Sequence, residues 1–197
     1  MNEFWHIFAA ATLFVWLLLL VDSVRAFRVV TPLPPDTGES GNGTAERHPL
    51  VSVIVTAKEE ELHIADTIRH LLNQTYPRME IIAINDRSRD KTGLRLEQLK
   101  EWSQQRDRLS IPLRVIHLTT LPRGWLGKNH ALYQGYLQAK GQYLLFTDAD
   151  VLFHPDTIRA AVAYMKRHEV DHLTLAPALI SRGFPLRAFV QDRKSVV

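Results

Sequence analysis

Short apolar runs at residues 51–56, 80–84, 113–118, 143–147 and 172–175 alternate with longer segments of helical period, and this alternation constrains the fold more than any other feature of the chain. Strands separated by helices are joined by crossovers, which favours parallel pairing and burial of the sheet on both faces. The pattern predicts an α/β domain with a mainly parallel sheet. Ile64, Ile68, Leu71 and Leu72 share one face of the first helix, which ends near Tyr76-Pro77. A later helix carries Ile158, Ala161, Val162 and Met165 behind Pro155. No internal repeat is visible, and 197 residues suit one substantial domain with a short addition.

In such sheets the ligand sits outside the carboxyl ends of the strands, so the residues just after the apolar runs carry the most information. These are Thr56-Ala57-Lys58-Glu59-Glu60-Glu61, Asn85-Asp86-Arg87-Ser88-Arg89-Asp90 and Asp148-Ala149-Asp150. Three polar strand ends would meet along one rim. A carboxylate pair such as Asp148 and Asp150 suits Mg²⁺ or Mn²⁺, which take few protein oxygens and complete their shells with phosphates and water. Aspartates also begin turns and cap helices, and that reading stays open for Asp150 and Asp156, as it does for Ser88 and Asp90. Asp86, just beyond a central strand, could accept the ring N–H of a uracil-like base. The segment 122–129, PRGWLGKN, places two glycines, Trp125 and Lys128 before a helix. Glycines and a helix N-terminus admit a phosphate, and Lys128 adds a point charge. An ordinary surface loop is the alternative. The nine histidines form no metal-binding helical pair, and His154 beside a proline reads as structural.

Residues 4–21 are apolar except for His6 and Thr12, long enough as a helix to cross a hydrocarbon core of roughly 30 Å. A cleaved signal peptide is the alternative, with Val24 and Ala26 as small-residue cleavage features. Arg25 and Arg28 follow the span and no Lys or Arg precedes it, which predicts an uncleaved anchor with the remainder in the cytoplasm. Residues 31–49 are rich in Pro, Gly, Ser and Thr and read as a tether. Within it, Asn42-Gly43-Thr44 fits an N-glycosylation triplet that a cytoplasmic location would leave unused. The expected organisation is an anchor at 1–30, a linker at 31–49 and a catalytic domain from 50 to 197. The formal charge of +3 comes from interspersed charges and not from a basic tract, so no nucleic-acid partner is implied. With no cysteine, thiolate metal sites, disulfides and cysteine nucleophiles are excluded.

Read together and in order, VSVIVTAKEEELHIADTIRHLLNQTYPRMEIIAINDRSRDKTG at 51–93, LPRGWLGKNHALYQG at 121–135 and LLFTDADV at 144–151 resemble the opening of a family 2 glycosyltransferase with the GT-A fold. The GWLGK stretch is similar to membrane-associated members that glycosylate lipids, among them hopanoid-associated, carotenoid-acid and ceramide glycosyltransferases. The resemblance implies a Rossmann-like GT-A domain preceded by one transmembrane helix, and an inverting transferase of hexosyltransferase type. It implies a UDP-linked sugar donor, a lipid acceptor and a cell-membrane location. Donor contacts would come from Thr56, Glu60, Asp86, Lys128 and Asp148, and the Mn or Mg ion would rest on Asp150 with Asp148 in support. The sequence departs from the family at Thr56, where a proline is usual, at Glu59, where asparagine is usual, and at Asn85, the first of a usual aspartate pair. Because Glu60 and Asp86 remain, donor binding is the expectation.

Family members carry a catalytic carboxylate and acceptor-binding residues well downstream of the aspartate pair. The general base is therefore expected beyond Val197, the domain is expected to be incomplete at its C-terminus, and the chain alone is expected to be inactive. Asp192 matches no family motif. One alternative is a sugar-phosphate nucleotidyltransferase, which would carry a glycine-rich, arginine-bearing loop where this chain has Lys58-Glu59-Glu60-Glu61. Another is a non-catalytic nucleotide-binding remnant.

Overall fold

The computed structural model describes residues 2–29, 48–105 and 111–176. The chain divides into two compact units, Met1–Leu33 and Pro34–Val197. The first contains helix α1 (Asn2–Val29), whose described apolar side chains are exposed all round instead of forming one stripe. A helix that is apolar on every side needs an apolar surround, and Glu3–Ser23, with a mean hydropathy of 2.2, is long and apolar enough to cross a membrane. A signal sequence near an N-terminus meets the same criterion of length and hydropathy. The Thr12 hydroxyl near the middle of the span is satisfied locally, since its Oγ1 donates to the Phe8 carbonyl at 2.8 Å.

In the second unit, the β-branched run of β1 (Val51–Ala57) fits a strand buried on both faces. It pairs in parallel with β2 (Met79–Asp86) on one side and with β4 (Tyr143–Asp148) on the other. Beyond β2 lies β3 (Leu113–Leu118), also parallel, giving the order β3-β2-β1-β4. The chain thus steps outward from β1 to β3 and then returns to the opposite side of β1. This reversal opens a crevice between the carboxyl ends of β1 and β4, where open α/β sheets bind ligands.

Side chains alternate across the sheet. Val53, Val55, Ile81 and Ala83 face one layer, formed by α2 (Ile64–Leu72), α3 (Thr92–Gln104) and α5 (Thr157–His168) through Ile64, Ile68, Leu96 and Ile158. Ile54, Ile82 and Ile84 face Ala131 of α4 (Gly127–Tyr136). Each fully buried Ile or Leu contributes about 1.5–3 kcal/mol relative to exposure, so the many such side chains in the first layer hold the sheet in place.

Two expectations need correction. Residues 172–175 form no strand, and the described sheet has four strands. Leu173 and Leu175 alternate with polar residues as in a strand, but the segment pairs with no strand among the described residues, and the His172 ring contacts the nearby Thr174 hydroxyl at 3.1 Å. The expected burial of the sheet on both faces fails at β4, where Leu144 and Phe146 are exposed and the strand lies at the edge of the described sheet. Except for its last two residues the tether at 31–49 lies outside the described residues, as do Asn42 and Asp192.

Candidate functional site

The loops after β1 and β2 lock into each other. The N–H groups of Glu59, Glu60 and Glu61 donate to Ser88 Oγ at 3.1 Å, Thr92 Oγ1 at 2.8 Å and Asp90 Oδ2 at 3.1 Å. In return the Arg89 N–H donates to Glu59 Oε1 and the Lys91 N–H to Glu61 Oε2, both at 2.9 Å. Asp90 also accepts the N–H of Thr92, the first residue of α3, at 2.9 Å. Burial pushes the Asp90 carboxyl up, but the hydrogen bonds from Thr92 and Glu61 outweigh it and hold the group below the usual carboxylate range. Ser88, Asp90, Glu59 and Glu61 are thereby engaged in shaping the rim. Of the three consecutive glutamates only Glu60 keeps its carboxylate out of this lattice, beside His63 Nδ1 at 3.3 Å.

Thr56, Glu60, Asp86, Lys128, Asp148 and Asp150 all line one cavity of about 270 Å³, together with Ala57, Lys58, Ala131 and Ala149. It lies at the strand reversal, where Thr56 stands opposite Asp148 in register. Asp86, the last residue of β2, has a nearly buried carboxylate gripped at both oxygens by its neighbour: Arg87 Nε donates to Oδ1 at 2.7 Å and Nη2 to Oδ2 at 2.9 Å. This pairing is the largest cause holding the Asp86 carboxyl below its ordinary range, outweighing burial, with the Lys58 and His130 charges assisting.

At the end of β4 the arrangement is looser. Lys128 Nζ meets Asp148 Oδ1 at 2.6 Å with both side chains more than half exposed. The exposed Asp150 carboxylate has no hydrogen bond or ion pair among the described residues. The start of α4 has no side-chain cap, which leaves its first N–H groups facing outward as helix-terminal donors. Among the described residues no three His, Cys, Asp or Glu side chains cluster as a complete metal cage. The donor set of two cavity-lining carboxylates nevertheless fits a hard divalent cation that takes its remaining ligands from a phosphate-bearing substrate and water.

Sequence reasoning did not find Arg87 or His130. His130 is buried and its Nδ1 has no partner among the described residues, while its ring lies edge-on to Trp125 at 5.5 Å. Ala131 could have been reached from Lys128 by its i+3 spacing on the helix. The glycines of the 122–129 loop differ in use: Gly124 turns the chain at φ 88°, whereas a Cβ on Gly127 would lie 2.6 Å from Arg87 Nη2 and 3.0 Å from Asp86 Oδ2. Trp125 is partly exposed and stacked on Tyr133 at 5.2 Å. Asn85 is directed toward β3, donating through Nδ2 to His117 Nδ1 at 3.0 Å, while His117 Nε2 bonds Glu97 at 2.9 Å. His154 holds structure, its carbonyl accepting from Gln74 Nε2 at 2.7 Å.

The profile of the family described as Glycosyl transferase family 2 matches residues 52–192. The chain belongs to this family. An uncharacterized glycosyltransferase of Haemophilus influenzae is 36% identical over 129 residues, covering 66% of this chain and 36% of that protein. The beta-monoglucosyldiacylglycerol synthase of Trichormus variabilis is 29% identical over 176 residues, covering 88% of this chain and 35% of that protein. The mannosyltransferase of Pyrobaculum calidifontis, solved in complex with GDP-Man and Mn²⁺, superposes with a TM-score of 0.55 at 25% identity, covering 75% of this chain and 39% of the other. The fold of this family 2 chain is GT-A, and the chain spans about a third of the length of the curated relatives it matches.

Proposed function

We propose that this chain carries the donor site of an inverting family 2 glycosyltransferase that moves a hexose from a nucleoside-diphosphate sugar to a lipid acceptor at a membrane. The observation that carries the reading is the convergence of three strand ends and the uncapped start of α4 on one cavity at the strand reversal. Asp86 accepts a ring N–H of the base, beside Thr56. A carboxylate can only accept, so the site favours uracil or guanine, which present an N–H next to a carbonyl, over cytosine and adenine. A UDP-linked donor is the first candidate, and the GDP-Man bound by the Pyrobaculum relative has the same N–H-and-carbonyl edge.

Lys128 and the first N–H groups of α4 meet the diphosphate, and Glu60 closes the donor side. Asp150, supported by Asp148, would hold Mn²⁺ or Mg²⁺. When bound, such an ion acts as a Lewis acid toward the leaving diphosphate. Because Lys128 already engages Asp148, Asp150 is the better direct ligand. In an inverting displacement the acceptor hydroxyl attacks the anomeric carbon as the diphosphate leaves, and a general base takes the hydroxyl proton. By the family resemblance that base lies in a segment well downstream of the aspartate pair, and the role given to this donor domain is to bind the donor.

The monoglucosyldiacylglycerol in the Trichormus relative's name and the apolar α1 support a lipid acceptor and membrane association. In this reading 1–30 is the anchor, 31–49 the linker and 50–197 the donor domain, on the cytoplasmic side by the charges of Arg25 and Arg28. The reading is tested with a polypeptide extended to the length of the relatives. With UDP-glucose, GDP-mannose and Mn²⁺ it should glycosylate diacylglycerol or another membrane lipid, while the 197-residue chain should be slower by roughly 10² to 10⁴ for want of the base alone. Equal turnover by the two would place the base within this sequence, and no turnover by the extended form with any lipid would favour a nucleotide-binding remnant.

A further inference from the structure

Arg87 occupies a backbone position that argues against an ordinary surface residue. Its φ is 56°, in the left-handed region where glycine is the default and a branched or long side chain costs about 1 kcal/mol or more. A side chain retained there should do something glycine cannot. Its guanidinium forms a two-point fork on Asp86, at 2.7 and 2.9 Å, and the adjoining helix leaves space for it only because residue 127 is glycine.

We infer that Arg87 is a positioning residue for nucleotide recognition: its guanidinium fixes the Asp86 carboxylate so that the lone pairs left over face the donor cavity. This rests on the reading of Asp86 as the base contact. An ionised carboxylate offers about four lone-pair positions, and the fork takes one on each oxygen. A carboxylate free to rotate could turn away from the ligand, or take up a proton and present a donor to a base with a ring-nitrogen acceptor. The fork prevents both, which keeps Asp86 a pure acceptor. The other charges facing Asp86 are Lys58 from the loop after β1 and His130 from α4, and neither hydrogen-bonds to it. Arg87 therefore supplies the orientation, and Gly127 supplies the room. The second glycine of the GWLGK stretch then has a task in base selection besides any at the phosphate.

The test is calorimetric titration of the full chain with UDP, GDP and CDP in Mn²⁺ from pH 4 to 8, for the wild type and for Arg87→Gly, Arg87→Lys and Gly127→Ala. Circular dichroism and thermal melting identify the conditions in which each variant is folded. Arg87→Gly, which relieves the left-handed strain, should bind UDP about tenfold more weakly, as expected when a hydrogen-bonded charge loses its partner. Its preference for UDP over CDP should shrink, and the acid limb of its binding profile should move to higher pH. Arg87→Lys should keep the acid limb near that of the wild type but lose affinity, because an ammonium cannot form the fork. Gly127→Ala should resemble Arg87→Gly in weaker form. Folded Arg87→Gly with wild-type affinity, base preference and pH profile would overturn the positioning role while leaving the donor site intact. A wild-type chain that binds neither UDP nor GDP would overturn the donor reading and this inference with it.

Discussion

The two halves of the cavity rim are built in opposite ways. At the ends of β1 and β2, the side chains of Glu59, Glu61, Ser88, Asp90, Thr92 and Arg87 are each hydrogen-bonded to another protein group. At the end of β4, Asp150 has no partner among the described residues and Asp148 has an exposed lysine. The first half is a finished scaffold that fixes shape before any ligand arrives, and the second holds its charge in reserve. That division suits a site in which recognition must be preorganised while the metal and diphosphate, which bring their own charges, complete the other side.

The contrast is broken most severely at Asp150. Asp150→Ala should lower Mn²⁺-dependent UDP affinity by about a hundredfold, in line with the several kcal/mol a bound metal supplies to charge stabilisation. Its melting temperature should stay that of the wild type, since an exposed, unpartnered carboxylate contributes within about 0.5 kcal/mol to folding. A variant that melts early would show that the β4 end is scaffold too.

Asp90→Ala should behave in the reverse way, leaving the N–H groups of Glu61 and Thr92 without acceptors and costing about 1–2 kcal/mol in a denaturant titration. Both Asp86 and Asp90 are held below their ordinary carboxyl range in the fold. The stability they lend is therefore fully present above their unfolded values, about pH 4, and is lost as pH falls through the lower folded values. Asp90→Asn should flatten that acid loss, and an unchanged acid profile would contradict the assignment. The smallest effect belongs to Lys128→Met. The exposed pair with Asp148 should contribute less than about 1 kcal/mol to stability, so melting should barely move. The salt dependence of UDP binding should become shallower because a phosphate-facing charge is gone.

Sequence periodicity revealed β1 to β4 and the helices between them because burial of apolar faces dictates both the period and the fold. It failed at 172–175, where the apolar alternation was present but no strand forms among the described residues. The residues of the cavity were legible for a topological reason: in a parallel sheet, residues that follow successive strands gather at one edge whatever their separation in the chain. What the sequence could not convey was how each acidic residue is used. Glu59, Glu60 and Glu61 are identical side chains in a row, and only the left-handed turn at Glu59 and the facing 87–92 loop decide that Glu60 is the one left to the cavity. Arg87 was hidden for the same reason, since its positive φ and its fork on the preceding residue leave no periodic trace.

The central claim is that this cavity is a metal-assisted nucleotide-sugar site whose base contact is an acceptor. Isothermal titration of the purified chain with UDP, GDP, CDP and ADP, each with Mn²⁺ and again with excess EDTA, tests it most directly. UDP or GDP should bind only with Mn²⁺, and CDP and ADP should bind more weakly by about tenfold or more, as when a buried acceptor is left unpaired. Binding that is indifferent to the metal, or equal affinity for all four nucleotides, would contradict it.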